Sequence, residues 1–346
     1  MSRVCFGVEL HEYLDAPTVL EEIQLAERLG YDSVWLGDSQ LIWRELYALM
    51  GAGAATTSRV ALGSGVTNPV TRHAAVTASA ITTVQELSGG RAILGVGLGD
   101  SSLETMGLKP VTRARLAAFV REVRALCSGE AVSSPAGGEM RLTFGSAASC
   151  PPIVVGASGP KMLRLAGEIG DGVIVTRQAR AGERLDAMLS CVREGRAASD
   201  RPDRPFVVCL SAAVALDADR ERAIAAVRPH VARALRTPTW SLSGPAQRAS
   251  EEVKKAYDYY EHMNPAARHA ALIPPEVVAE FAIAGTPAEC LEQARALFEA
   301  GADEITIRPY GVDGAPRRAT IEAFAREVMA PLRARLGAPP GGGLLA

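Results

Sequence analysis

Ile153-Val154-Val155-Gly156-Ala157-Ser158-Gly159-Pro160-Lys161 and, a few residues on, Gly172-Val173-Ile174-Val175-Thr176 carry the pattern on which the fold reading turns. Each contains a short run of β-branched residues, Ile153–Val155 and Val173–Val175, without polar alternation, as in parallel strands covered on both faces. Between them 160–169 reads as a helix, with Pro160 at its first position, where the missing N–H is not needed and the fixed φ suits a helix. Strand, glycine-rich exit, helix, strand: the repeating unit is β/α.

The alternation continues in both directions. Upstream, Val4–Leu10, Ser33–Asp38, Val60–Pro69 and Ala92–Gly97 read as strands, with helices over about 17–29, Leu46–Thr57, 73–87 and 112–127. Val19, Ile23 and Ala26 share one face of the first helix, and Gly30 ends it. Downstream come helix 182–197, strand Phe206–Leu216, helices 218–235 and 287–300, strand Glu304–Pro309 and helix 320–336. Two stretches break the rhythm. Residues 128–150, with Ser, Pro, Gly and a short strand signal at Met140–Phe144, read as an excursion. Residues 237–281, proline-rich with an amphipathic helix around 246–262, read as a helical insertion over the barrel mouth. Residues 338–346 read as a flexible tail. Eight strand-then-helix units make one domain, 1–346, of α/β class: a (β/α)8 TIM barrel with insertions. The rival open sheet calls for a glycine fingerprint after the first strand, where Gly7-Val8-Glu9-Leu10-His11 stands instead.

Composition narrows the functions. With 346 residues, 48% hydrophobic and 22% charged, the chain can bury a core of this size. A formal net charge of −2 supplies no basic field for nucleic acid or an anionic membrane, though a local site for one phosphorylated ligand stays open. No apolar run approaches the roughly 20 residues of a membrane span. Met1–Val8 is too short for a secretory core, so a cytoplasmic setting is expected. Cys5, Cys127, Cys150, Cys191, Cys209 and Cys290 form no CxxC pair and no metal-like spacing, and read as reduced, buried small hydrophobes. Five scattered histidines form no metal triad, and no metal is expected.

In a barrel, chemistry gathers beyond the C-terminal ends of the strands. Those exits carry Glu9-Leu10-His11, Asp38-Ser39-Gln40, Gly65-Val66-Thr67-Asn68-Pro69, Gly97-Leu98-Gly99-Asp100, Gly156-Ala157-Ser158-Gly159-Pro160-Lys161 and Thr176-Arg177. The run from Gly156 to Lys161 combines close backbone approach, a helix N-terminus and an ammonium, which together suit a phosphate. A tight turn with a surface lysine is the plainer reading. Gly97 and Gly99 let backbone lie against a planar ring, or serve packing alone; Gly65–Pro69 is a polar cradle, or a strand exit with a turn. Glu9 and Asp38 end neighbouring strands and can relay a proton beside a redox ring, provided burial raises their pKa. The alternatives are a solvated loop carboxylate and, for Asp38, a helix cap. His73 most simply starts a helix after Arg72. Trp240, Tyr257, Tyr259, Tyr260, His262 and His269 make the insertion a lid or substrate wall, or else a rim or oligomer contact.

The run Gly65-Val66-Thr67-Asn68-Pro69-Val70-Thr71-Arg72-His73, with Ala78-Ser79-Ala80-Ile81 and Glu86-Leu87-Ser88-Gly89-Gly90-Arg91-Ala92, closely resembles the luciferase-like oxidoreductases, above all the methylenetetrahydromethanopterin reductase branch. Gly7-Val8-Glu9, Ala26–Asp32, Gly97–Asp100, Gly156–Pro160, Gly285-Thr286-Pro287 and Ala300–Asp303 extend the likeness over roughly residues 4–310. The resemblance implies a bacterial luciferase-like barrel that holds FMN or the deazaflavin coenzyme F420 over its strand ends. It further implies a cis peptide at Gly65–Val66 behind the ring, phosphate-side contacts at Gly156–Pro160, Glu9 as first-strand acid, and a homodimer. One departure stands out: many deazaflavin members carry Asp-His where this chain has Asp38-Ser39. The histidine expected to hold or protonate substrate is missing there, which points away from methylenetetrahydromethanopterin itself. Ser39 is left to hydrogen-bond the ring or tail, and Trp43 and Arg44 to form the substrate wall.

The expected activity is hydride transfer between F420, the favoured cofactor, and a small-molecule organic substrate, with Glu9 and Asp38 as catalytic candidates. The other exit residues, Arg177 included, are the candidate cofactor contacts. The rival is an FMN-dependent monooxygenase, using O2 and reduced FMN from a partner flavin reductase. The two differ at the ring, where carbon in place of N5 gives a hydride carrier that reacts poorly with oxygen. A third reading is a flavin-binding barrel without catalysis.

Overall fold

Cys5, Gly7 and Glu9 alternate with Phe6, Val8 and Leu10 along the first strand, and a strand's period of two sends the sets to opposite faces. Cys5 joins Trp35, Ala61, Ile93, Val154, Ile174, Val207 and Cys209 in a compact inner cluster. Phe6, Val8 and Leu10 pack outward against helices, Phe6 edge-on to Phe298 and Phe324 at centroid distances of 5.2 and 6.0 Å. The computed structural model describes residues 4–11, 14–99, 101–134, 136–147, 150–176, 178–257 and 268–337.

Eight parallel strands form the wall: β1 (Cys5–Leu10), β2 (Ser33–Leu36), β3 (Ala61–Ser64), β4 (Ala92–Val96), β5 (Ile153–Ala157), β6 (Gly172–Val175), β7 (Val207–Leu216) and β8 (Glu304–Pro309). Each pairs with the next in parallel register. β8 closes the ring on β1, with Glu304 opposite Cys5 and Ile307 opposite Val8. This is the expected (β/α)8 barrel. Between the strands run helices such as α1 (Ala16–Leu29), capped by Asp15 and ended by Gly30 at φ 84°, and α2 (Leu46–Thr56), capped by Glu45. α3 (Ala74–Leu87) is capped by His73 as expected, and α4 (Arg113–Cys127) by Thr112. α5 (Pro160–Ile169) starts at Pro160. Among the described residues no helix is long and apolar enough to cross a membrane.

The departures are local. Ala282–Gly285 forms a further parallel strand beside the outer half of β7, pairing Ala282 with Ala213 and Gly285 with Leu216. The strand signal in the excursion falls on Val132–Ser133 and Glu139–Met140, a small antiparallel pair, and not on 141–144. In the insertion the helix is Gly244–Ala256. It buries Ala246, Ala249 and Val253 in a second core with helix α6 (Glu183–Ala197)'s successor, α7 (Arg220–Arg236), and Ser250 Oγ donates to the Leu235 carbonyl at 2.7 Å. Tyr259, Tyr260, His262 and the tail 338–346 lie outside the described residues.

Deep in the barrel a carboxyl sits with no cation against it among the described residues. Glu304, fully buried, accepts from Ser33 Oγ (2.9 Å), Trp35 Nε1 (2.9 Å) and Thr306 Oγ1 (2.6 Å). The Trp35 indole fits because Gly63 faces it; a Cβ there would overlap the ring. Burial pushes the Glu304 pKa up to about 7, more than its hydrogen bonds lower it. An acid with a higher pKa folded than unfolded stabilises the fold most below its unfolded value and gives that up as pH rises through the folded one. Relative to Glu304→Gln, the native chain is expected to lose on the order of 3 kcal/mol of stability between pH 4.5 and about 7. Paired urea titrations at pH 5 and 8 measure this; a difference independent of pH would contradict it.

Candidate active site

The alternation that buries Glu304 carries Thr306 and Arg308 to the same inner face of β8, while Ile305 and Ile307 pack outward. Because β8 closes on β1, Arg308 meets Glu9 at the upper end of the barrel. Arg308 Nη2 lies 2.6 Å from both Glu9 oxygens, and Ser211 Oγ of β7 donates to Glu9 Oε2 at 2.9 Å. His11 Nε2 is 3.2 Å from Glu9 Oε1. Burial alone would raise the Glu9 pKa, but the Arg308 charge and the His11 hydrogen bond outweigh it and hold the carboxyl well below the usual range. The raised pKa that a proton-donating Glu9 requires is therefore not met: Glu9 is a fixed anion. The His11 pKa is lowered as well, first by burial and further by Arg308, against the pull of Glu9. His11 is a neutral imidazole, stacked on the Trp43 indole at 4.6 Å with 14° between planes. Behind Arg308, His230 Nδ1 lies 3.2 Å from Nη1, and burial drives its pKa well down.

Trp43 reaches His11 because Gly37, just past β2, has no side chain; a Cβ there would strike the indole. Arg44, next to Trp43 in sequence, is exposed and acts electrostatically on Asp15. Asp38 is buried, and both its oxygens are engaged twice: Oδ1 by Gln40 (2.6 Å) and Arg72 Nη2 (2.9 Å), Oδ2 by Thr67 (2.6 Å) and Arg72 Nε (2.8 Å). A carboxylate has about four acceptor sites, and here all are taken. The structure thus turns Asp38 from a proton relay into a tie that fixes Thr67 and Arg72. Ser39 is buried beside it, its carbonyl accepting from the amides of Ile42 and Trp43.

The Gly65–Val66 bond is cis, as the resemblance implied. The glycines beyond β4 and in β5 converge on Val66: a Cβ at Gly97 or Gly156 would meet its methyls, at 2.9 and 3.3 Å. Thr67 bridges to Val96, its N–H on the Gly95 carbonyl and its carbonyl taking the Gly97 N–H. Residues 65–67, 97 and 156 therefore share one surface. Asn68 is a turn: its Oδ1 accepts from the Val70 and Thr71 amides at 3.0 Å, and its Nδ2 contacts Ser102. Gly99, at φ 99°, faces the Leu103 side chain. Gly159 caps α5 without a side-chain hydrogen bond, Pro160 follows, and Lys161 is exposed. The Ser158 carbonyl receives Trp240 Nε1 (2.6 Å) and Thr239 Oγ1 (3.2 Å), so the insertion begins at this exit. Farther out, His269 stacks on Tyr257 at 4.4 Å, and Arg236 lies over the same ring. Asp100 and Arg177 lie outside the described residues.

Residues 2–304 match the model of the luciferase-like monooxygenases. The chain belongs to this family. Among relatives of this luciferase-like protein is a 5,10-methylenetetrahydromethanopterin reductase of Archaeoglobus fulgidus, 32% identical over 95% of this chain and 99% of its own length. An F420-dependent glucose-6-phosphate dehydrogenase of Beutenbergia cavernae is 33% identical, covering 90% and 92%. The structure of the coenzyme F420 dependent tetrahydromethanopterin reductase of Methanopyrus kandleri superposes with a TM-score of 0.75 at 26% identity, covering 95% and 99%. Every one of these is an oxidoreductase, and so is this chain.

Sequence reasoning missed Arg308, Ser211 and His230. The one available signal was Glu304-Ile305-Thr306-Ile307-Arg308, whose polar set recurs every second residue. Arg308→Met leaves Glu9 buried with its charge uncompensated and is expected to destabilise the protein by about 3–5 kcal/mol at pH 7. Adding Glu9→Gln is expected to recover most of this. Denaturant unfolding of both variants checks the pair, and a double variant as unstable as the single one would refute it.

Proposed function

We propose that this oxidoreductase transfers a hydride between coenzyme F420 and a small organic substrate at the mouth of its barrel. The observation that carries the reading is its similarity to two F420-dependent glucose-6-phosphate dehydrogenases, 33% and 30% identical over 90% and 96% of this chain. The residues present suit a flat ring with an anionic tail. Val66 offers an apolar floor, and Gly97 and Gly156 keep Cβ atoms away from it. The side-chain-uncapped start of α5, with Lys161, suits a phosphate. Bound there, F420 supplies a carbon hydride carrier.

The chain's own part is to hold the substrate and move a proton. Glu9, kept anionic by Arg308, fixes the tautomer of His11 by accepting its Nε2–H. That leaves Nδ1 with the lone pair, so His11 takes a proton from a substrate hydroxyl as hydride departs and returns it in the reverse direction. Glu9 stabilises the imidazolium so formed, as the buried carboxylate does in a catalytic triad. Trp43 holds the imidazole from one face and, with the exposed Leu41 and Ile42, gives the substrate an apolar wall. The exit histidine missing at position 39 is replaced here by one on β1's own exit.

Anaerobic addition of F420 or FMN tests the cofactor: tight binding of F420 with turnover is expected, and a protein saturated by FMN but blind to F420 would reverse the reading towards a monooxygenase. His11→Gln and Glu9→Gln are expected to lower kcat by roughly 10²–10⁴-fold with F420 affinity nearly intact. Because His11 must be neutral and its pKa is lowered, the acid limb of the kcat profile should fall below pH 6.5. A limb above that value would remove His11 from this role.

A further inference from the structure

Of the residues that α1 buries, Val19, Glu22, Ile23, Leu25 and Ala26, one is charged. A carboxylate on an apolar helix face needs a partner, and Glu22 finds it 295 residues away in Arg317. From the start of the helix Arg317–Phe324, Arg317 Nε lies 3.1 and 3.0 Å from the two Glu22 oxygens, and Nη2 adds a further bond. Both side chains are buried. The third guanidinium nitrogen points elsewhere: Nη1 donates to the backbone carbonyl of His11 at 2.5 Å. His11 is the first residue beyond β1, whose pairing with β2 ends at Leu10. One turn along the same face of that helix, Thr320 Oγ1 donates to the Tyr310 carbonyl at 2.7 Å. Tyr310 is the first residue beyond β8 and lies two places after Arg308. A single helix face thus holds the exits of the two strands that carry Glu9 and Arg308.

We infer that Arg317, clamped by Glu22, is a positioning residue that pins the backbone of His11 so that its imidazole stays on Glu9. This role rests on His11 carrying the proton of the proposed hydride transfer. The contact it protects has little slack: His11 Nε2 to Glu9 Oε1 is 3.2 Å, at the long end of the N–H···O range, so a small shift of the exit residue would break it. Arginine suits the task where lysine does not. Its planar fork gives Nε and Nη2 to the carboxylate and keeps Nη1 for the carbonyl, whereas an ammonium is a single point of charge. Thr320 does the matching service beside Arg308, with a neutral hydroxyl on a neutral carbonyl.

Imidazole NMR of the full chain labelled with 15N-histidine tests this. The chain has five histidines, and His11→Gln assigns the signal of interest. In the native protein the His11 Nε2 proton is expected as a persistent signal near neutral pH. Glu22→Gln combined with Arg317→Gln removes both charges together and strands neither, while Arg317→Lys keeps the charge against Glu22 without the fork. In both variants the His11 proton should be lost to exchange with solvent, with the signals of the other histidines in place. A native spectrum without that proton, variants that keep it, or variants in which the other histidines change as much as His11 would overturn the inference. Arg317→Lys decides it even if the double variant fails to fold. The signal is read with no cofactor present, whereas turnover of His11→Gln tests the proposed reaction, so the two can fail separately.

Discussion

The ion pair between Glu9 and Arg308 is the constraint on which the upper barrel depends. Its partners lie 299 residues apart and meet only because β8 closes on β1. Removing two charges from water is costly, and the cost is offset only where geometry and hydrogen bonding are nearly complete. Here both carboxylate oxygens face one guanidinium nitrogen, with Ser211 and His11 as further partners. Once Glu9 is anionic and immobile, the tautomer of His11 follows, and the stack on Trp43 sets the plane of its ring.

Two buried carboxyls in one barrel show how environment divides their roles. Glu304 has hydroxyl and indole donors and, among the described residues, no cation against it, so burial dominates and its pKa rises. Glu9, higher in the same barrel, meets a guanidinium, and its pKa falls. The first supports the packing of Trp35 and the lower strands. The second faces the mouth, where charge can act on a ligand. Asp38 is a third case, with its acceptor sites all spent on Arg72, Thr67 and Gln40, so that it shapes the rim without being free to react.

Much of the fold was legible because barrel strands announce themselves. Ile153-Val154-Val155 and Val173-Ile174-Val175 are buried on both faces and carry no polar residue, with Gly156 ending the first run and Thr176 the second. Ala282–Gly285 was not legible: three small residues and a single isoleucine, Ile283, follow a helix directly, with no turn residue to separate them and no β-branched cluster to mark a strand. At the site, Gly65–Thr67, Gly97 and Gly156 could be grouped in advance because exits of successive strands must converge. Arg308 could not be assigned from its own neighbourhood, since its meaning comes from Glu9 on a strand that is remote in sequence. For the same reason Asp38 looked reactive: Arg72 reaches it from beyond β3, and only the folded chain shows its oxygens already occupied.

A crystal structure of the protein with F420 bound bears most directly on the central claim, that the strand exits form one seat for a flat redox ring opposite an oriented imidazole. The deazaflavin ring is expected against Val66, between Gly97 and Gly156, with its tail at the start of α5 and the His11–Glu9 pair on the open side. Ring density anywhere else, or a displaced His11 no longer bonded to Glu9, would contradict it.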